Sequence, residues 1–141
     1  TYMEHLEDNL DTFLDFEALN EEEIKFLDGI AHQMENYPLV RCTTCQYCMP
    51  CPYGIDIPGI FSFYNKHVNA GTYVVSKEQE GYSKARRKYL LDYDKSIPTV
   101  RQADHCIGCN QCAEHCPQKI NIPRELHKIN RYIEKLKQET L

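Results

Sequence analysis

The sequence has no tryptophan, only 5 phenylalanines and only 6 glycines among its 141 residues. With so few large apolar side chains, a purely apolar core would be modest, and a bound metal would help to stabilise the fold. No apolar run approaches the roughly 18 residues that a membrane-spanning helix needs, and no signal peptide is visible. There is no GxGxxG loop, no Ser/His/Asp set and no motif of paired carboxylates. We therefore predict no membrane partner and no catalytic residues in this chain.

Positive charge is also scarce, because 16 Lys and Arg residues stand against 21 Asp and Glu, for a net charge of -5. Phosphate backbones require a basic surface, so nucleic acid is not expected as a partner. The one basic run, Arg86-Arg87-Lys88, lies on a predicted helix. We interpret it as a solvated helix face, with docking onto an acidic partner as the alternative.

Cysteine, in contrast, is abundant, and its eight copies lie in two runs, CTTCQYCMPC (residues 42–51) and CIGCNQCAEHC (residues 106–116). A secreted disulfide framework usually scatters its cysteines among loops. Thiols bunched two residues apart instead aim at one common point, which suits a metal. The runs therefore predict metal ligation rather than disulfides, and a reducing, cytoplasmic location.

The second run has the C-x2-C-x2-C-x3-C-P spacing of bacterial ferredoxins, which hold [4Fe-4S] clusters. In two-cluster ferredoxins the last cysteine of such a run ligates the other cluster. The predicted ligands of cluster 1 are Cys42, Cys45, Cys48 and Cys116. The predicted ligands of cluster 2 are Cys106, Cys109, Cys112 and Cys51. The first run departs from the pattern by having two residues, not three, before Cys51, so local ligation, with each run holding its own cluster, stays open.

Two four-cysteine zinc sites would use the same eight thiolates. Zinc ribbons normally pair two CxxC knuckles across a longer loop, whereas three consecutive two-residue gaps are expected for an iron-sulfur cube. The predicted cofactors are therefore two [4Fe-4S] clusters, and zinc can replace clusters lost to oxygen in purified protein. Since the cysteines already fill two cubes, His105 and His115 are predicted to lie beside a cluster or at the surface, and Tyr47 to shield a cluster from water.

The rest of the chain reads as helix. Cys51-Pro52 is followed by Ile55-Asp56-Ile57-Pro58, and Cys116-Pro117 is followed by Ile120-Asn121-Ile122-Pro123. The repetition indicates an internal duplication, in which the second proline of each half opens a helix. Apolar residues also recur at helical spacing within residues 2–36 and 82–93, with an N-cap expected at Asn20. The predicted fold is all-α: a helical, ferredoxin-like dicluster domain with irregular cluster-wrapping loops and N-terminal helices.

The stretches CQYCMPCPYGIDIP (residues 45–58) and HCIGCNQCAEHCPQKINIP (residues 105–123) resemble the dicluster 4Fe-4S domain at the C-terminus of a subgroup of aldo/keto reductases. The segment MEHLEDNLDTF (residues 3–13) and the helix over residues 19–31 are similar to that family's exit from its catalytic barrel. The resemblance implies a helical segment over residues 1–36 that leads from a missing catalytic barrel. It implies a helical 2x[4Fe-4S] ferredoxin-like domain over residues 37–141.

The same resemblance implies electron transfer as the C-terminal module of an aldo/keto reductase-type oxidoreductase. Its partners would be the chain's own barrel domain and a redox carrier. Because the sequence starts at Thr1 rather than at Met, we expect a fragment of a longer protein. Two alternatives stay open: a free-standing dicluster electron carrier or subunit, and a structural module with two four-cysteine zinc sites.

Overall fold

The computed structural model describes residues 2–14 and 16–141, and over these residues it contains six α-helices and no strand. The helices are α1 (Met3–Leu14), α2 (Glu21–Asn36), α3 (Ile57–Asn69), α4 (Tyr82–Ser96), α5 (Gln111–Glu114) and α6 (Ile122–Gln138). Two short 3-10 turns, Thr99–Arg101 and Ala103–His105, lie between α4 and the second cysteine run. The predicted all-α fold is confirmed. None of the helices in the described ranges is both long and apolar enough to cross a bilayer.

The chain divides into two compact units, residues 1–37 and residues 38–141. The first unit holds α1 and α2, neither of which contains a buried residue. The start of α2 is a capping box, because the Asn20 side chain accepts hydrogen bonds from the Glu22 and Glu23 N–H groups. The Glu23 carboxylate in turn accepts from the Asn20 N–H at 2.9 Å, which confirms the predicted N-cap.

The second unit has an apolar core built by α3, α4 and α6. The two amphipathic helices α3 and α6 each bury one apolar face in this core. These buried residues are Ile60, Phe61, Phe63, Tyr64 and Val68 on α3, and Leu126, Ile129, Ile133 and Leu136 on α6. From α4 come Tyr89 and Tyr93, both buried. Burial of this many large side chains supplies most of the stability of a unit of this size.

Most of the large aromatic side chains in this core are tyrosines, since the sequence contains no tryptophan. The ring centroid of Tyr89 lies 5.0 Å from that of Phe63 and 5.1 Å from that of Tyr132, both in edge-on geometry. The Tyr132 hydroxyl donates to the Val74 carbonyl and accepts from the Val74 N–H, at 3.0 Å each. The polar ends of the rings therefore fasten the connection between α3 and α4, which forms no strand, onto α6.

Candidate cluster-binding site

The two cysteine runs follow the same backbone path. Thr44 and Gly108 occupy equivalent positions in the first gap, with φ of 56° and 76°. Gln46 and Asn110 occupy equivalent positions in the second gap, with φ of 65° and 62°. These left-handed residues curl each loop around its thiols, and they bring the Thr44 N–H within 3.4 Å of the Cys42 sulfur. Only Gly108 among these four residues has no steric cost in this conformation, because glycine lacks a Cβ atom.

The segments that follow the runs also repeat, now 65 residues apart. Gly54 and Lys119 have φ of 76° and 52°, and each donates its N–H to the carbonyl of the preceding cysteine, Cys51 or Cys116. The side chains of Asp56 and Asn121 then cap α3 and α6, because each accepts a hydrogen bond from the backbone N–H three residues later in the chain. The chain therefore leaves both runs in the same local geometry.

The runs differ in the turn before their last cysteine. In the second run this turn is the short helix α5, and the Cys116 N–H donates to the Ala113 carbonyl at 3.2 Å. The first run is one residue shorter there and forms no helix in its described residues, and its Met49-Pro50 peptide bond is cis. The second run therefore accommodates its one extra residue in the helical turn of α5.

The thiols of the first run face a cysteine of the second run across one small cavity. Cys42, Cys45 and Cys48 line this cavity together with Cys116. Apolar side chains form its walls: Ile57, Pro58 and Phe61 of α3, with Ile120 and Ile122 at the start of α6. Within the described chain, Cys51 is not among the cavity's lining residues. Four convergent thiols between apolar walls are the donor set that an iron-sulfur cluster requires.

The pKa shifts of the thiols indicate the same grouping. Burial raises the pKa of Cys42 and of Cys48, and in both cases the neighbouring Cys45 and Cys116 thiols add to the shift. Burial also raises the pKa of Cys112 to about 11, with further contributions from Cys106, Cys109 and Cys48. Such thiols must lose their protons when they ligate a metal.

The second set of thiols is less completely assembled. Cys106 and Cys112 of the second run and Cys51 of the first are all half-buried against the apolar core. Cys48 and Cys112 line one surface cavity with Tyr47 and His115, so the two loops meet there. The second cysteine of each run, Cys45 or Cys109, is exposed, whereas the other six cysteines are partly buried.

The remaining predicted residues have ordinary roles. His105 lies at the surface with its Nε2 atom 3.0 Å from the Thr99 carbonyl, and Tyr47 is largely exposed. The solvated-face prediction holds for Arg87 and Lys88, which are exposed. It is wrong for Arg86, which donates to the Leu136 and Lys137 carbonyls and pairs with Glu139 at 3.2 Å. Arg86 therefore caps the C-terminal end of α6, where the helix dipole favours a cation.

Sequence reasoning missed the walls of the first cavity. The signal was present, because an Ile-x-Ile-Pro step follows each Cys-Pro, and Ile57, Ile120 and Ile122 all line the cavity. From the sequence, this step predicts only the helix that its proline opens. Their second role depends on α3 and α6 packing against each other, which the pattern along the chain does not report.

A family model described as a 4Fe-4S dicluster domain matches residues 41–122, a range that contains all eight cysteines. No curated protein and no solved structure matches the chain. The match covers more than half of the chain, which therefore belongs to the 4Fe-4S dicluster family.

Proposed function

We propose that this dicluster protein transfers electrons through two [4Fe-4S] clusters whose fourth ligands are exchanged between the cysteine runs. The observation that supports this most directly is that Cys116 lines one cavity with Cys42, Cys45 and Cys48, although it is more than 60 residues away along the chain. By the symmetry of the repeat, Cys51 would complete the set of Cys106, Cys109 and Cys112. When bound, such a cluster accepts and donates one electron.

The chain's own groups would bind, orient and insulate the clusters. Phe61 and the cavity isoleucines exclude water, and the lower dielectric strengthens every interaction with the thiolates. The N–H of Thr44 lies near the Cys42 sulfur, where a donor stabilises the anionic form. The contact between the loops at Cys48 and Cys112 would place the two clusters side by side.

The spacing of the thiols favours clusters over zinc. A zinc ion bound tetrahedrally at about 2.3 Å from four thiolates requires sulfurs about 3.8 Å apart. Over the described ranges, no three His, Cys, Asp or Glu side chains are arranged to hold a single metal ion. The consecutive two-residue gaps between the cysteines of each run support iron-sulfur clusters over zinc as well.

The experiment that tests the proposal is an elemental analysis of protein prepared without oxygen. We expect iron and acid-labile sulfide in about equal amounts, no zinc, and a brown colour that bleaches reversibly with dithionite. Stoichiometric zinc without sulfide would contradict the proposal and support the structural zinc module instead.

A finer proposal concerns the context of the module. The resemblance of residues 45–58 and 105–123 supports a cytoplasmic aldo/keto reductase-type oxidoreductase, in which the clusters exchange electrons with a catalytic barrel and an external carrier. The apolar residues of α1 and α2 add support, because Leu10 is 54% exposed and Phe13 is 72% exposed. Such faces usually mark an interaction with another protein surface.

A separately produced aldo/keto reductase barrel tests this context. It should form a complex with the chain in size-exclusion chromatography, and charged substitutions at Leu10 and Phe13 should abolish the complex. Failure of wild-type protein to bind the barrel would favour the free-standing carrier.

A further inference from the structure

The two units of the chain carry net charges of opposite sign, which the net charge of the whole chain does not show. Residues 1–37 contain one basic residue and eleven acidic ones, for a net charge of -10. Residues 38–141 contain fifteen basic and ten acidic residues, for a net charge of +5. The unit that carries the cysteines is therefore basic, although the whole chain is acidic.

The positive charge is concentrated along one face of α6. Five exposed side chains lie there at positions one helical turn apart, and all of them line a groove of about 710 Å³. These side chains are Arg124, His127, Lys128, Arg131 and Lys135. Tyr73 and Tyr132 also line the groove, together with the four cations Arg124, Lys128, Arg131 and Lys135.

Most of these cations form no ion pair within the described residues. Lys128 pairs with Glu125 at 3.5 Å and lies over the Tyr64 ring. In the part of the chain that the structure describes, no ion pair is formed by Arg124, Arg131 or Lys135. Like charges one turn apart, as in Arg131 and Lys135, disfavour a helix. An anionic partner in the groove would remove this repulsion.

The groove begins beside the first cavity. Arg124 is two residues beyond Ile122, which lines the cavity of Cys42, Cys45, Cys48 and Cys116. Two residues correspond to about 3 Å along a helix axis but to about 200° around it, so the two side chains lie on different faces of α6. The groove and the first cavity therefore share the N-terminal turn of α6 without sharing a wall.

We propose that this groove is the docking surface for an acidic electron-carrier protein, an inference that rests on the proposed electron-transfer function. The cations are exposed and extend over about 16 Å of helix, so they match a protein surface better than one small anion, which needs donors that converge. Val75 and Leu141 also line the groove, and such apolar side chains suit a protein surface rather than a phosphate backbone.

A binding measurement tests the groove directly. The probe is an oxidised, strongly acidic flavodoxin, titrated calorimetrically into the full chain at low ionic strength. The R131Q/K135Q variant should weaken binding about tenfold, whereas the matched K84Q/R87Q variant on α4, which removes the same charge from exposed positions outside the groove, should stay within about twofold of wild type. High salt should erase the difference.

Equal losses in both variants, or no loss in either, would overturn the docking site. Tighter binding of a short DNA duplex than of flavodoxin, abolished by R131Q/K135Q, would overturn it in favour of nucleic acid. Reduction by methyl viologen that has itself been reduced with dithionite, a small donor that needs no docking surface, separates the two proposals. Normal reduction of R131Q/K135Q with unchanged flavodoxin binding defeats only the docking site, and no reduction of wild-type protein defeats the electron-transfer function.

Discussion

The two halves of the duplicated unit are alike in their cysteine loops and helix starts and differ along the helices that follow. Both loops contain left-handed residues at equivalent positions, and both helices have side-chain caps. Phe61 of α3 and Leu126 of α6 are equivalent and both buried. Further along the helices the equivalence ends, because Phe63 is buried against Tyr89 whereas its counterpart Lys128 is exposed on the basic groove. The repeat is therefore retained most closely at the loops that carry the thiols and at the helix starts that follow them.

One matched pair of buried residues differs in its chemistry. His67 of α3 corresponds to Tyr132 of α6, and both are buried. The His67 Nδ1 atom lies 2.7 Å from the Thr72 hydroxyl, and its Nε2 atom lies 3.7 Å from Asp92. Tyr132 instead binds the backbone of Val74. The first half thus has an imidazole at this buried position, where the second half has a phenol.

The largest expected effect comes from breaking both halves at once. If the ligands are exchanged, Cys45→Ala with Cys116→Ala damages one cluster and leaves half of the iron, whereas Cys45→Ala with Cys51→Ala damages both clusters. Local ligation reverses the two results. Iron and sulfide analysis of the two double variants distinguishes the schemes, and each single variant should lose about half of the iron.

The next effect comes from truncating the matched core residues. Phe61→Ala and Leu126→Ala should each lower the free energy of unfolding by about 3–5 kcal/mol, since both leave a cavity. Only Phe61 lines the cavity of Cys42, Cys45 and Cys48. Its truncation should therefore also speed bleaching in air, measured by visible absorbance. Equal bleaching rates in the two variants would contradict this role of Phe61.

The helix caps predict a smaller and equal loss in the two halves. Asp56→Ala and Asn121→Ala should each cost about 1 kcal/mol in urea unfolding, because each leaves the first turn of its helix without a side-chain acceptor. Asp56→Asn keeps the acceptor and should recover most of the loss. A loss of stability that persists in Asp56→Asn and in Asn121→Asp would rule out capping as the cause.

The smallest expected effect is a difference between the two halves in how the stability of the fold depends on pH. Burial lowers the pKa of His67, and the nearby Asp92 offsets this only in part. Its stabilising contribution is complete above its unfolded pKa of about 6.5 and declines as the pH falls below that value. His67→Gln should therefore flatten the loss of stability between pH 7 and pH 5. Tyr132→Phe should leave that slope unchanged, because burial raises the pKa of Tyr132 further above this range. Parallel slopes for wild type and His67→Gln would exclude His67 as the source.

The sequence predicted the local structure well because local physics determines it. The capping box at Asn20 and the helices that follow Pro58 and Pro123 were found where their signals lie. The role of Arg86 was predicted wrongly, since its partners at Leu136 and Lys137 are fifty residues away. The basic groove escaped notice for a related reason, because the net charge of the whole chain averages two opposite units.

The sequence by itself determined the eight thiols, their spacing and the helices around them, since loop curvature and helix caps depend on residues a few positions apart. Only the tertiary structure decided that Cys116 shares a cavity with Cys42, Cys45 and Cys48. The packing of α3 against α6 in one apolar core decides it, because burial acts between residues that are near in space, whatever their separation along the chain.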